Sequence, residues 1–380
     1  MSKIPKKYRI GKKYLQTLTD YFGDLGVYNP SYGIAEGIGY LNLISAIAPM
    51  FKPLMNFDDV DYVVYWAVTK VEAERVVGNT LDGNELLCRQ IAQEVLGAVV
   101  AALQSYPRDY KYQLSLTGFS KLTAGKYQIH DDMWLEFTPD LEDRAQLSIV
   151  KRGFWRPGQE NELVENFLRK SKIFAYLMHS GPMTWHPIKT RNATASIKDT
   201  HTMEVTALSL PDGMAQLMGG ASINVISLLE SAGFGHLRAE DFPAAMEIQA
   251  ANLRLCFDAL ELPINRRIST AIEWYEDARA VSNQTVALLE ICIGLEALLG
   301  EDGNMSDMTN RLCDRFAFTL GKTPADRALL FSRYKELLFH RGRLVHAKVA
   351  KLDAQGANSL ALGYGMLQTL ISHELQLAMA

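Results

Sequence analysis

The chain reads as an α+β domain followed by an all-α, up-down helical bundle. Three observations carry that reading. Short segments with alternating or β-branched patterning occur only in the first two-thirds, among helical stretches. The strand signal ends near Gly220. Beyond Leu262-Pro263-Ile264-Asn265 only helical periodicity remains, with the short connections that join antiparallel neighbours. The domain boundary is placed there, giving 1–262 and 263–380. At 380 residues the chain is long enough for two cores.

Ile38 to Phe51 is the most apolar early run, broken by Asn42 and Pro49 and too short to span a bilayer. Tyr62-Val63-Val64-Tyr65-Trp66-Ala67-Val68 is β-branched and aromatic, which predicts a strand. Asn84 to Gln104 predicts a helix with Leu86, Ile91, Val95, Ala98, Val99 and Ala102 as its apolar stripe, and Pro107 follows its end. Tyr110–Leu116, Tyr127–Phe137 and Gln146–Val150 alternate polar and apolar residues, as in an antiparallel meander. Glu160–Met178 predicts a further helix and Met203–Leu210 a further strand. Asp241-Phe242-Pro243 then opens a helix to about Leu260 with a capping acid. In the bundle, helices are expected over Arg267–Ala280, Asn283–Leu299 with Gly300 as the cap, and Ser306–Leu320 closed by Gly321. A helix opened by Thr323-Pro324-Ala325-Asp326 follows, and a last one over Asn358–Met379.

Hydrophobic content of 48% and charged content of 22% describe an ordinary soluble protein. The net charge of -4 leaves nucleic-acid contact to local patches. Cys88, Cys256, Cys292 and Cys313 show no paired spacing, and the first three sit in apolar helical contexts, as thiols do in a reducing cytosol. A cytoplasmic protein without a membrane segment is therefore expected. Lys3, Lys6, Lys7, Arg9, Lys12 and Lys13 read as a solvated arm, with phosphate binding as the lesser alternative. His179, His186 and His201 lack metal-ligand spacing, and no glycine-rich phosphate loop, nucleophile elbow or dinucleotide fingerprint occurs. No metal and no cofactor are expected. Lys151-Arg152-Gly153-Phe154-Trp155-Arg156 interleaves bases and aromatics as single-strand binders do. Its other reading is a turn whose aromatics pack on the sheet.

The stretch from Tyr334 to His346 holds an arginine and a histidine five apart on one helix. At roughly 100° per residue, Arg341 and His346 point about 140° apart, so a regular helix aims them at different places. Arg341 falls in line with Tyr334, Leu338 and Val345, which predicts a core- or interface-facing stripe. An arginine there needs anionic or polar partners. Taken alone, the pair reads as an arginine snorkelling off the stripe and a solvated histidine. Glu296 shares an apolar face with Val286, Leu289 and Ile293, and its partner is either Arg341 across the bundle or Arg311 or Arg315.

Ile293-Gly294-Leu295-Glu296-Ala297-Leu298-Leu299, followed by Tyr334, Arg341 and His346 at this spacing, resembles the HEPN domain family in its Apea-like branch, from about Pro263 to the C-terminus. The resemblance implies a HEPN-like bundle that cuts or binds RNA without metal or cofactor, as a homodimer whose two Arg/His pairs meet in one cleft. On that reading Arg341 holds phosphate and transition-state charge, and His346 handles the proton of the RNA 2'-hydroxyl. Guanidinium and imidazole are the groups such a transesterification needs. Glu296 orients Arg341, while Arg343 and His340 flank the motif as extra phosphate contacts or as solvated outer-face residues. The implied partners are single-stranded or tRNA-like RNA, a second copy of the chain, and a trigger protein or ligand at the N-terminal domain. The implied biology is antiphage defence or toxin-like growth control. Gly342 departs from the polar residue that often follows the arginine in members that cut RNA. It marks either a kink turning His346 toward Arg341 or a loss of catalytic detail. Two further functions stay open: a non-catalytic RNA- or protein-binding module, and a ligand sensor that dimerises through the bundle.

Overall fold

The computed structural model describes residues 38–52, 55–76, 85–117, 124–137, 144–155, 162–179, 194–208, 242–300, 308–346 and 349–380. Two compact units emerge. The first comprises Met1–Lys111, Val150–Leu163 and Lys198–Glu204, and the second Tyr112–Ile149, Val164–Ile197 and Val205–Ala380. The Leu262–Asn265 interruption lies inside the second unit, as a single 3-10 turn over Pro263–Asn265. The basic residues from Lys3 to Lys13 fall outside the described residues.

Helices α1 (Ile38–Ile47), α2 (Phe57–Val76) and α3 (Glu85–Ser105) form the core of the first unit with a 3-10 turn at Ala48–Met50. The strand expected over Tyr62–Val68 is the middle of α2 instead. Two local causes override its β-branched composition. Asn56 and Asp59 cap the helix reciprocally, each side chain accepting from the other's backbone N–H at 2.8 and 3.0 Å. Val60, Val63, Val64, Ala67 and Val71 then recur at three-four spacing and are buried, whereas Tyr65 and Trp66 are half exposed. Packing decides the element, because β-preference measures fit to a half-buried pleated surface more than any backbone preference. Phe154 enters the same core edge-on to Tyr62 and Tyr106, and Trp155 packs edge-on to Tyr110. Arg156 lies outside the described residues.

One sheet runs in the order β2-β3-β4-β1-β5-β6. Its strands are β1 (Arg108–Thr117), β2 (Gly125–His130), β3 (Met133–Phe137), β4 (Arg144–Gly153), β5 (Thr194–Asp199) and β6 (Val205–Leu208). The β2–β3 and β3–β4 pairs are antiparallel, with Tyr127 opposite Leu135 and Leu135 opposite Leu147. β1 departs from a simple meander by lying between β4 and β5. A register shift between Gln128 and His130 precedes the tight turn at Asp131-Asp132. Helix α4 (Glu162–His179) follows, with Phe167 stacked on Tyr112.

The remaining helices of the second unit are α5 (Phe242–Glu261), α6 (Arg266–Ala280), α7 (Gln284–Leu299), α8 (Met308–Leu320), α9 (Pro324–Val345) and α10 (Ala354–Met379). Helix α5 packs on β2 and α10, and α10 also packs on α6, α7 and α9. Asn283, Thr323 and Asp353 cap α7, α9 and α10 with their side chains, and Thr323 forms the expected reciprocal pair with Asp326. Asp353 starts α10 four residues earlier than the pattern suggested. Gly300 is the C-cap of α7 but is extended, not left-handed. Gly294 lets α7 and α10 approach closely, since a Cβ there would lie 2.6 Å from Leu367 Cδ2. Cys292 and Cys313 are fully buried, Cys256 is partly buried beside Met379, and all three are free thiols; the Cys88 side chain lies outside the described residues. Among the described residues, no helix is long and apolar enough to cross a membrane.

Candidate active site

Helix α9 packs against α7, α8 and α10. Tyr334 and Leu337 are completely buried and Leu338 nearly so, which sets the face that Arg341 continues. Val345 breaks the expected stripe: it is 57% exposed, because the helix ends there and its last turn runs past the packing surface.

Arg341 is half exposed and meets Glu296 of α7. Its two terminal nitrogens face the two carboxylate oxygens, Nη1 to Oε1 at 3.3 Å and Nη2 to Oε2 at 3.4 Å. Of the two partners open in the sequence, the arginine across the bundle is the one observed. Arg315 donates instead to the carbonyl of Leu299 at 2.6 Å, closing the end of α7. Glu296 is less buried than its apolar neighbours implied, because Val286 and Ile293 on the same face are themselves more than a third exposed. Burial still raises its carboxyl above the ordinary value, against the pull of Arg341. Behind the pair, the Tyr334 hydroxyl is buried without a hydrogen-bond partner, and burial pushes it far from ionisation. The pair therefore has a closed, low-dielectric back and an open front. With two N–H groups turned to Glu296, the guanidinium keeps further donors for an oxyanion.

His346 does not join Arg341. It is the exposed C-cap of α9, and its backbone N–H is held by the carbonyls of Gly342 and Leu344. The helix continues unbroken across Gly342, so the kink expected to bring the two side chains together is not formed. Among the described residues, nothing would stand within 4 Å of a Cβ at Gly342, so no packing among them demands a glycine there.

The flanking residues separate. Arg343 is partly exposed and pairs with Asp353 at 3.2 Å. His340 is not a solvated outer-face residue: it is 2% exposed, and its Nε2 has no hydrogen-bond partner among the described residues. The cause is Gly356 in the first turn of α10, whose missing side chain admits the imidazole, with Nδ1 only 3.3 Å from where a Cβ would stand. His201 is exposed on the surface, while the His179 side chain and His186 lie outside the described residues. Among the described residues, no group of three His, Cys, Asp or Glu side chains could hold a metal.

A second ionic cluster, unforeseen from the sequence, joins the β2–β3 turn, α4 and α5. Lys170 donates to both oxygens of Asp132 at 2.7 and 2.8 Å and meets Glu261 at 2.8 Å. His130 meets Asp132 through Nδ1 at 2.7 Å and Glu261 through Nε2 at 3.3 Å. Hydrogen bonds to Asp132 and then Glu261 raise the imidazole to about 9. Burial works against the Asp132 charge, but His130 and Lys170 hold it down at about 2, and the His130 contact brings Glu261 to about 2 as well. The signal that could have found it is Lys170 itself, three residues after Phe167 and four before Phe174 on the buried stripe of α4. A lysine at such a place needs anions. Comparison of the chain with family models, curated proteins and solved structures finds no match.

Proposed function

We propose that the chain is a metal-independent RNA endonuclease of the HEPN type, with a composite site built from Arg341 and His346 of two copies. The observation that carries the reading is the Arg341–Glu296 pair, an arginine oriented by a carboxylate against a dry wall but open toward solvent. Because α9 is continuous, His346 of the same chain points away from that arginine, and a second copy related by a two-fold axis is the way to bring the two types of side chain to one phosphate. There Arg341 would neutralise the charge building on the phosphate oxygens, and His346 would take the 2'-hydroxyl proton during attack on the adjacent phosphorus. The 2'-hydroxyl requirement selects RNA over DNA. The N-terminal part, residues 1–262, would then sense a trigger or recruit substrate, in a cytoplasmic defence or growth-control role.

The test is cleavage of labelled single-stranded RNA in the presence of a chelator. Wild type is expected to cut, while Arg341→Ala and His346→Ala are expected to lose cutting, and dilution below the dimer dissociation constant should abolish it. Undiminished cleavage by both variants would sink the reading.

A second reading, non-catalytic RNA binding, draws on the exposure of His346 and on Gly342 beside the arginine. On that reading His346→Ala keeps RNA affinity and Arg341→Ala weakens it, with a shallower salt dependence.

A further inference from the structure

The outer face of α9, away from Arg341, carries a pattern of which the proposed cleavage chemistry uses only His346. Lys335, Phe339, Gly342 and His346 follow one another at four-, three- and four-residue steps, which keeps them on one side of a helix. Phe339 is 61% exposed, and Lys335 and His346 are exposed beside it. Lys335 lies over the ring of Phe331 at 5.6 Å and Arg343 over that of Phe339 at 5.8 Å, so cations and aromatics alternate up the helix. Helix α9 holds five lysines and arginines against two carboxylates in a chain of net charge -4; Arg341 and Arg343 are paired with Glu296 and Asp353 outside the helix, which leaves Arg327, Arg333 and Lys335. Both carboxylates are engaged, Asp326 in the cap and Glu336 with Gln355 at 3.2 Å. Between Phe339 and His346 the helix backbone is bare among the described residues, because Gly342 has no side chain and none of them stands within 4 Å of where one would begin.

We infer that this face binds single-stranded RNA, with an unpaired base seated over the notch at Gly342 between Phe339 and His346. The choice of RNA rests on the reading proposed above; the charge, the exposed ring and the notch are independent of it. Exposed rings favour an unpaired strand, whose bases can stack on them, over a duplex, whose base faces are already covered. Lys335 meets the phosphates, and Arg343 joins it only by exchanging Asp353 for a phosphate oxygen. On this account Gly342 is neither a kink nor a defect but the floor of a base site. A side chain there would fit the protein and obstruct the ligand.

That opposition gives the test. Binding of a fluorescein-labelled oligouridylate with methylated 2'-hydroxyls, which cannot be cut, is followed by anisotropy. Phe339→Ala should weaken it roughly tenfold, the scale of one lost base stack, and Phe339→Trp should restore it. Gly342→Leu should weaken it comparably. Gly342→Ala should raise the melting temperature, since alanine favours helix, and still weaken binding. A duplex of the same length should bind less tightly than the single strand. Unchanged affinity in both Gly342→Leu and Phe339→Ala overturns the inference, and if those variants still cut RNA normally the ribonuclease reading stands. A wild type that binds through the notch but never cuts removes the ribonuclease and leaves the notch. Conversion of the dimer to monomer by Phe339→Ala, with RNA affinity per site unaltered, would make this face a protein interface and overturn the inference.

Discussion

The two ionic clusters of the second unit use similar side chains to opposite ends. Around Lys170 every charge has met its opposite: a lysine and a histidine, both with side chains under 10% exposed, are enclosed by Asp132 and Glu261. Around Arg341 the pairing stops halfway, with one carboxylate behind the guanidinium and solvent in front. A closed network spends its electrostatics on holding elements together, here a hairpin turn and two helices. A half-closed one leaves guanidinium donors facing solvent. On the proposed function, incompleteness of pairing rather than its strength marks the site.

The largest expected effect lies in the closed network. Lys170→Met leaves Asp132 and Glu261 without their shared cation and should destabilise the fold by about 3 kcal/mol or more, read as a fall in the urea midpoint. The same measurement on Arg341→Ala should give a loss of about 1 kcal/mol or less, because the arginine is 37% and its partner 30% exposed, so that solvent screens the pair. If the two variants lost equal stability, the contrast between the clusters would vanish.

A middle-sized effect is the pH profile. The imidazole of His130 is raised from 6.5 to about 9, so its contribution is fully present below 6.5 and is lost as pH climbs toward 9. The carboxyl of Glu261 is lowered from 4.5 to about 2, so its contribution is present above 4.5 and is lost as pH falls toward 2. Stability from this network should form a plateau between about 4.5 and 6.5, and His130→Asn should flatten the alkaline flank in denaturant titrations across pH. A flank that survives the substitution would assign it to other groups.

The smallest expected effect is on Glu296→Gln. The amide keeps the shape and one acceptor oxygen but loses the charge that fixes the guanidinium. Stability should change by less than about 1 kcal/mol, while RNA cleavage falls but persists above the level of Arg341→Ala. Activity equal to wild type would remove Glu296 from the site.

How far the sequence foretold these regions follows from range. Capping and periodicity act over a few residues, so Thr323 with Asp326 is legible in the sequence, as are most helix bounds in the bundle, whereas Asn283 reads as the first residue of α7 and proves to be its cap. The β-branched run at Tyr62–Val68 has a strand's composition, and the Asn56–Asp59 cap with the three-four spacing around it overrules that composition. The Glu296–Arg341 contact was one of two open pairings, and choosing between them needed the packing of α7 on α9. His340 was misjudged because its burial depends on a glycine sixteen positions later on another helix. The Lys170 network gathers residues from β2, the following turn, α4 and α5, a separation no local pattern encodes.

The capping role of His346 carries a kinetic consequence. Its place is fixed by hydrogen bonds from its own backbone N–H to the last turn of α9, whereas Arg341 is clamped one turn earlier by a side chain of another helix. Terminal turns open with free energies near zero, while packed interior turns open only with larger parts of the fold. Fraying of that end would displace His346 while Arg341 stays held by Glu296.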